Sequence, residues 1–162
     1  MSFDDLKDNA LYIILFVRPS LEPNDFHWSL YHHTNETVGG CKYHIKGSPG
    51  TWLTDHGVTR GVWKSFLLIG LLHIADVPNK MEDRTKALIT QEDNNLNTIP
   101  GNTCRTWVLR ALERLKDTGI LRCSDVLALE QEVLEFGNSE LEATAQCVQP
   151  RVVIKSKLCG LA

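Results

Sequence analysis

Cys104 follows the loop Pro100-Gly101-Asn102-Thr103 and stands in the first turn of a helix marked out by Trp107, Val108, Ala111, Leu112 and Leu115. Their spacings of one, three and four residues put them on one apolar face, and Gly119 closes the pattern. Asn102 or Thr103 is the expected N-cap. Unpaired backbone N–H groups and the positive end of the dipole stabilise an anion there, so a cysteine in the first turn is disposed to act as a thiolate nucleophile. The same N–H groups can bind the oxyanion that forms when a carbonyl carbon is attacked. Arg105 adds positive charge. Taken alone, the position is more often that of a small packing residue.

A thiolate catalyst also needs an imidazole to take its proton and return it to the leaving group. His27 is the best of the six histidines: in Phe26 to His33 the residues Phe26, Trp28 and Leu30 alternate with His27, Ser29 and Tyr31, so a strand aims His27 from its polar face. Thr34 to Gly40 is turn-like and leads to Cys41 to Lys46, where Cys41, Tyr43 and Ile45 alternate with Lys42, His44 and Lys46. In such a hairpin His44 lies within reach of the His27 ring and fixes its tautomer. His32, His33, His56 and His73 lack that placement.

The remaining elements supply the frame. Ala10 to Val17 reads as a buried strand stopped by Arg18-Pro19, and Leu21 to Asp25 as the loop that follows. Gly47 to Gly61 is loop-rich with one short strand near Trp52. Phe66 to Ile74 reads as another buried strand, with a helix left open. Met81 to Ile89 suits a short amphipathic helix and Asp93 to Asn102 a loop. A last helix opens at Ser124-Asp125, with Gly137 expected to kink or end it. Its Glu130, Glu132, Glu135, Glu140 and Glu142 suit a solvated face. Val152 to Ile154 suggests a closing strand. The fold class is therefore α+β, an antiparallel sheet from the N-terminal half packed against helices from the C-terminal half, in one domain over residues 1–162.

Three motifs in order carry a family resemblance: His27-Trp28-Ser29-Leu30-Tyr31, then Tyr43-His44-Ile45, then Asn102-Thr103-Cys104-Arg105-Thr106-Trp107-Val108. They resemble the His-Trp-aliphatic-Tyr, second-His and Asn-Cys-x-x-aromatic-Val motifs of the lecithin:retinol acyltransferase-like proteins, part of the circularly permuted papain-like superfamily. The resemblance spans Phe26 to Leu115. It implies a papain-like fold and an acyl-cysteine intermediate, with Cys104 as nucleophile, His27 as base and His44 as its orienter. Three departures stand out. Thr103 intervenes between Asn102 and Cys104, the terminal KLCGLA is too short for the family's hydrophobic anchor, and the segment between His44 and Cys104 is long.

Composition limits the partners. With 17 Lys and Arg against 20 Asp and Glu the net charge is -3, so a nucleic-acid backbone has no bulk electrostatic support. Five cysteines without a C-x-x-C pair suit a reducing, cytoplasmic setting. The polar start MSFDDLKD and the shortness of every apolar run argue against a secretory signal or a membrane span. A zinc site from His27, His32, His33, Cys41 and His44 is opposed by alternation, since His27 and His33 share a face about 20 Å apart while His32 points away. No metal or cofactor is expected. The expected partner is a partly apolar small molecule, with Trp28, Tyr31, Tyr43, Trp52 and Trp107 as its walls, although large aromatics in a small domain are usually core. The expected function is a cysteine hydrolase or acyltransferase on an ester, thioester or amide. The alternative is a non-covalent cyclase, isomerase or binding module on the same scaffold.

Overall fold

Ala10–Val17 (β1) is apolar at all eight positions, and seven of them are buried, which requires cover on both faces of any sheet it joins. The computed structural model, which describes residues 5–161, puts β1 inside a six-stranded sheet. Phe26–Asn35 (β2) pairs with it on one side and Leu68–Asp76 (here β7) on the other, both antiparallel. Gly39–Tyr43 (β3) and Gly57–Thr59 (β6) extend the sheet beyond β2, and Val152–Lys155 (β8) lies parallel to β7. The order is β6-β3-β2-β1-β7-β8. Ile45–Lys46 (β4) and Leu53–Thr54 (β5) form a separate two-stranded ribbon. Three α-helices are found among the described residues: Glu82–Ile89 (α1), Cys104–Asp117 (α2) and Val126–Ala145 (α3). The fold is thus mixed α+β with a mostly antiparallel sheet.

Period-two alternation sorts the strands between two cores. Leu11, Ile13 and Leu15 of β1 join Phe26, Trp28 and Leu30 of β2 against Trp107, Val108, Ala111, Leu112 and Leu115 of α2 and Leu129 and Val133 of α3. On the opposite face Tyr12, Ile14 and Phe16 meet Tyr31, Leu68 and Leu71 beneath Leu6 and Val62. This second core corrects the expectation of a half-buried β2: Ser29, Tyr31 and His33 are fully buried.

Four further expectations change. Cys41 to Lys46 is not one strand, because the His44 N–H donates to His56 Nδ1 and its carbonyl accepts from Asp55 N–H, which takes it out of the β2 ladder. The apolar run after Ser65 is a strand from Leu68; Phe66 and Leu67 before it are mostly exposed. Gly137 neither kinks nor ends α3, which runs on to Ala145. It is there for close approach: a Cβ on it would lie 2.6 Å from the Phe26 ring and 2.8 Å from Leu15. The acidic face of α3 is not all solvated. Glu130 pairs with Arg105 Nε at 2.7 Å, and Glu132 accepts from the Ser156 hydroxyl and the Lys157 N–H. Among the described residues no helix is long and apolar enough to cross a membrane.

Candidate functional site

The start of α2 is held by a reciprocal cap. Thr103 Oγ1 accepts from Thr106 N–H at 3.1 Å while Thr103 N–H donates to Thr106 Oγ1 at 2.8 Å, so Thr103 rather than Asn102 is the N-cap. Asn102 does other work. Buried just before the helix, it donates to Leu96 O at 3.0 Å and accepts from Arg110 Nη2 at 2.6 Å, tying the preceding loop to the body of α2. Because Thr106 N–H is capped and Trp107 N–H bonds to Thr103 O, the N–H groups of Cys104 and Arg105 are left at the helix entrance without intrahelical partners.

Cys104 is 3% exposed, and its Sγ accepts from Arg18 Nη2 at 3.3 Å. Arg18 follows directly on β1 and is steadied by Asp25, whose Oδ1 is 3.0 Å from Arg18 Nε. A guanidinium and a helix N-terminus thus meet at the sulfur.

His27, the second residue of β2, leans on the Phe16 ring with centroids 6.1 Å apart. Its Nε2 lies 2.8 Å from His44 Nδ1. On the far side of His44, Nε2 is 3.1 Å from Asp55 Oδ2. Asp55 favours a proton on His44 Nε2, which makes His44 Nδ1 the acceptor and His27 Nε2 the donor. His27 Nδ1 then keeps its lone pair. Burial pushes the His27 pKa down to about 4, helped by His44, Arg18 and Lys42. Burial also takes His44 to about 4, with Lys42 adding to the effect and Asp55 opposing it. Both rings are neutral at pH 7.

Beneath this pair sits a support. His56 Nδ1 accepts the His44 N–H at 3.1 Å, its Nε2 is 2.9 Å from Asp93 Oδ2, and its ring stacks on Trp107 at 5.6 Å and meets Tyr43 edge-on at 5.3 Å. Burial raises the Asp93 carboxyl, against the pull of His56 and Arg114.

His27 opens onto a cavity of about 410 Å³ that Phe16, Val17, Arg18, Lys42, Val62 and Leu67 help to line. Arg18 is the side chain common to this cavity and to Cys104. The sulfur is bonded to Arg18 and the His27 Nε2 to His44, and no thiol–imidazole hydrogen bond joins Cys104 to His27.

None of the five aromatic residues expected as substrate walls lines the His27 cavity. Trp28 is fully buried under the Arg105 guanidinium, 5.8 Å from its ring, and Tyr31 is buried in the opposite core with its hydroxyl 2.9 Å from His33 Nδ1. Tyr43 and Trp107 brace His56. Trp52 lines a second cavity of about 320 Å³ with Leu96 and Asn102. Phe16 is the aromatic ring that walls the His27 cavity instead, with Val17, Pro19, Val62 and Leu67 beside it. The other histidines of the metal alternative disperse, with His32 bonded to Asn9 at 2.6 Å and His33 to Tyr31. Among the described residues no three His, Cys, Asp or Glu side chains are grouped to hold a metal ion.

Arg18, Lys42 and Asp55 were not singled out from the sequence. Arg18 had one signal, the first charge after an unbroken apolar strand; Asp55 had none, since it reaches His44 only through the β4–β5 ribbon.

Fold and site together define an α+β protein with a capped cysteine helix and a histidine pair at one end of its sheet. The chain belongs to DUF6540, a family of unknown function, whose model matches residues 12–122. No curated protein and no solved structure matches the chain. The family span runs from β1 to just beyond α2 and includes Arg18, His27, Lys42, His44, Asp55 and Cys104.

Proposed function

We propose that this protein is a papain-like cysteine enzyme of the lecithin:retinol acyltransferase-like type, a hydrolase or acyltransferase acting on a small-molecule ester, thioester or amide in the cytoplasm. The observation that carries the reading is the direct His27–His44 bond at 2.8 Å beside a cavity whose Arg18 also holds the Cys104 sulfur. Five free cysteines suit the reducing compartment.

Cys104 gives its proton to His27 Nδ1, and the thiolate attacks the acyl carbon. The oxyanion accepts hydrogen bonds from the N–H groups of Cys104 and Arg105. As the tetrahedral centre collapses, the bond to the leaving group breaks and His27 returns the proton to it, leaving an acyl-cysteine. Water or an acceptor alcohol or amine, deprotonated by His27, then attacks the thioester and releases the thiolate. His44 holds the His27 tautomer, and Asp55 holds that of His44. Cys104 packs on the α2 side of the sheet and His27 on the Phe16 side, so the proposed transfer runs around the sheet end where Arg18 reaches both.

The test is iodoacetamide labelling read by peptide mass spectrometry, followed by incubation with p-nitrophenyl esters and a search for the acyl adduct. Cys104 is expected to label far faster than Cys41, Cys123, Cys147 and Cys159 and to carry the adduct, and Cys104→Ala to abolish turnover. Slow, uniform labelling without an adduct would overturn the reading. A second reading, a non-covalent cyclase, isomerase or binding module, is favoured by one observation: the sulfur bonds to Arg18 and not to His27. It predicts a ligand-dependent melting shift that survives Cys104→Ala.

A further inference from the structure

The polar lining of the His27 cavity is one-sided. Arg18 and Lys42 bring two cations to it, and Thr59 and Ser65 bring two hydroxyls. Each hydroxyl oxygen already accepts a backbone N–H, Thr59 Oγ1 from Gly61 at 3.2 Å and Ser65 Oγ from Leu67 at 3.2 Å, so each has its own hydrogen to donate. Among the described residues no carboxylate lines the cavity. The rest of the wall is apolar, from Phe16, Val17, Pro19, Val62 and Leu67.

The two cations differ in what already neutralises them. Arg18 is paired with Asp25 and donates to Cys104. Lys42 forms no ion pair among the described residues; its ammonium lies over the Phe16 ring, 5.2 Å from the centroid, inside the cavity lining. It is half-buried on β3, and its neighbours on β2 and β6 in the sheet, Tyr31 and Gly57, carry no charge. A cation held against an aromatic face at the wall of an apolar cavity, without a carboxylate of its own, is a receptor for an anion.

We infer that the cavity binds an amphiphile with an anionic head, carboxylate or phosphate, anchored by Lys42 with help from Arg18 and the Thr59 and Ser65 hydroxyls, its apolar tail lying along Phe16, Val62 and Leu67. The inference rests on the preceding reading in one respect, that this cavity serves Cys104. It then defines the substrate as an acidic acyl compound rather than a neutral ester. The overall charge of -3 does not oppose it, because the field that an entering ligand meets is that of the cavity wall.

Isothermal titration of the full chain with octanoate, octyl phosphate, octanol and octyltrimethylammonium tests it without requiring any chemistry at sulfur. Octanoate or octyl phosphate is expected to bind at least about tenfold more tightly than octanol, and octyltrimethylammonium not at all. The tighter of the two anions identifies the head group. Lys42→Met is expected to bring the anion down to the level of octanol, with octanol binding unchanged, and Lys42→Arg to restore it. Equal affinity for the acid and the alcohol, binding of the ammonium compound, or anion binding indifferent to Lys42→Met would each overturn the inference. The wild-type comparison stands even if a variant fails to fold. Failure of the enzyme reading has a different signature, uniform alkylation of the five cysteines, which octanoate binding does not change.

Discussion

Two histidine–aspartate pairs lie side by side here and are put to opposite uses. In His56–Asp93 both ring nitrogens are engaged, one by the His44 backbone and one by the carboxylate, and Trp107 covers a face. Nothing is left to react. In the His27–His44–Asp55 series the contact to His44 uses His27 Nε2 alone, and His27 lines the cavity. Presence beside a carboxylate therefore does not mark a histidine as chemical; an uncommitted nitrogen at a cavity does. The inner pair fixes the backbone from which the outer pair is aimed.

The comparison is broken most sharply by exchanging the roles. Cys104→Ala should remove acyl transfer altogether while costing little stability, measured by adduct formation and by urea unfolding. His27→Gln should slow acylation by about 10²–10⁴-fold, the usual worth of a general base, with the urea midpoint nearly unchanged. If His27→Gln acylates at the wild-type rate, His27 is not the base. His56→Ala should do the reverse. It leaves the His44 N–H and the Asp93 carboxylate without their partner, at a cost of about 2–4 kcal/mol in unfolding free energy. A His56 variant of unchanged stability would erase the distinction between the pairs.

A smaller effect is expected from Gly137→Ala, about 1–3 kcal/mol, because the new methyl group meets the Phe26 ring at the base of the strand that carries His27. A probe that needs no substitution in the core is pH. The folded rings of His27 and His44 titrate near 4 and the unfolded ones near 6.5, so between those values the unfolded chain binds more protons. Stability is complete above about pH 6.5 and declines as pH falls toward about 4. Urea midpoints compared between about pH 7 and about pH 5 should show this decline in the wild type and a shallower one in His27→Gln/His44→Gln. Parallel declines would mean that other groups set the acid limb.

What the chain declares about itself follows the range of its signals. The period-two pattern of β2 and the one, three and four spacing of α2 are local, and they placed His27 on its strand and Cys104 in the first helical turn. The approach of His44 to His27 was legible only in part: the hairpin brings the two segments together, but the β2–β3 register ends at Leu30 and Tyr43, and His44 reaches His27 after leaving the ladder. Arg18, Asp55 and Lys42 were not legible as a group, since each belongs to a different segment and meets the others only through sheet order. Gly137 was misread for the same reason. Within its helix a glycine looks like a break, and only the Phe26 ring across the core explains it. The tryptophans divide: Trp28 and Trp107 are drawn wholly into the core, whereas Trp52 lines a cavity away from His27.

Helix α3 and strand β8 fall after the stretch that the family shares, yet α3 packs Gly137 onto Leu15 and Phe26, and β8 covers the outer edge of β7. An excised 12–122 fragment would present a bare strand border and an uncovered greasy flank, the conditions for chain-to-chain stacking. The boundary of kinship is thus not the boundary of the cooperative unit, and the shared stretch is not a cassette that can be transplanted without its later wrapping.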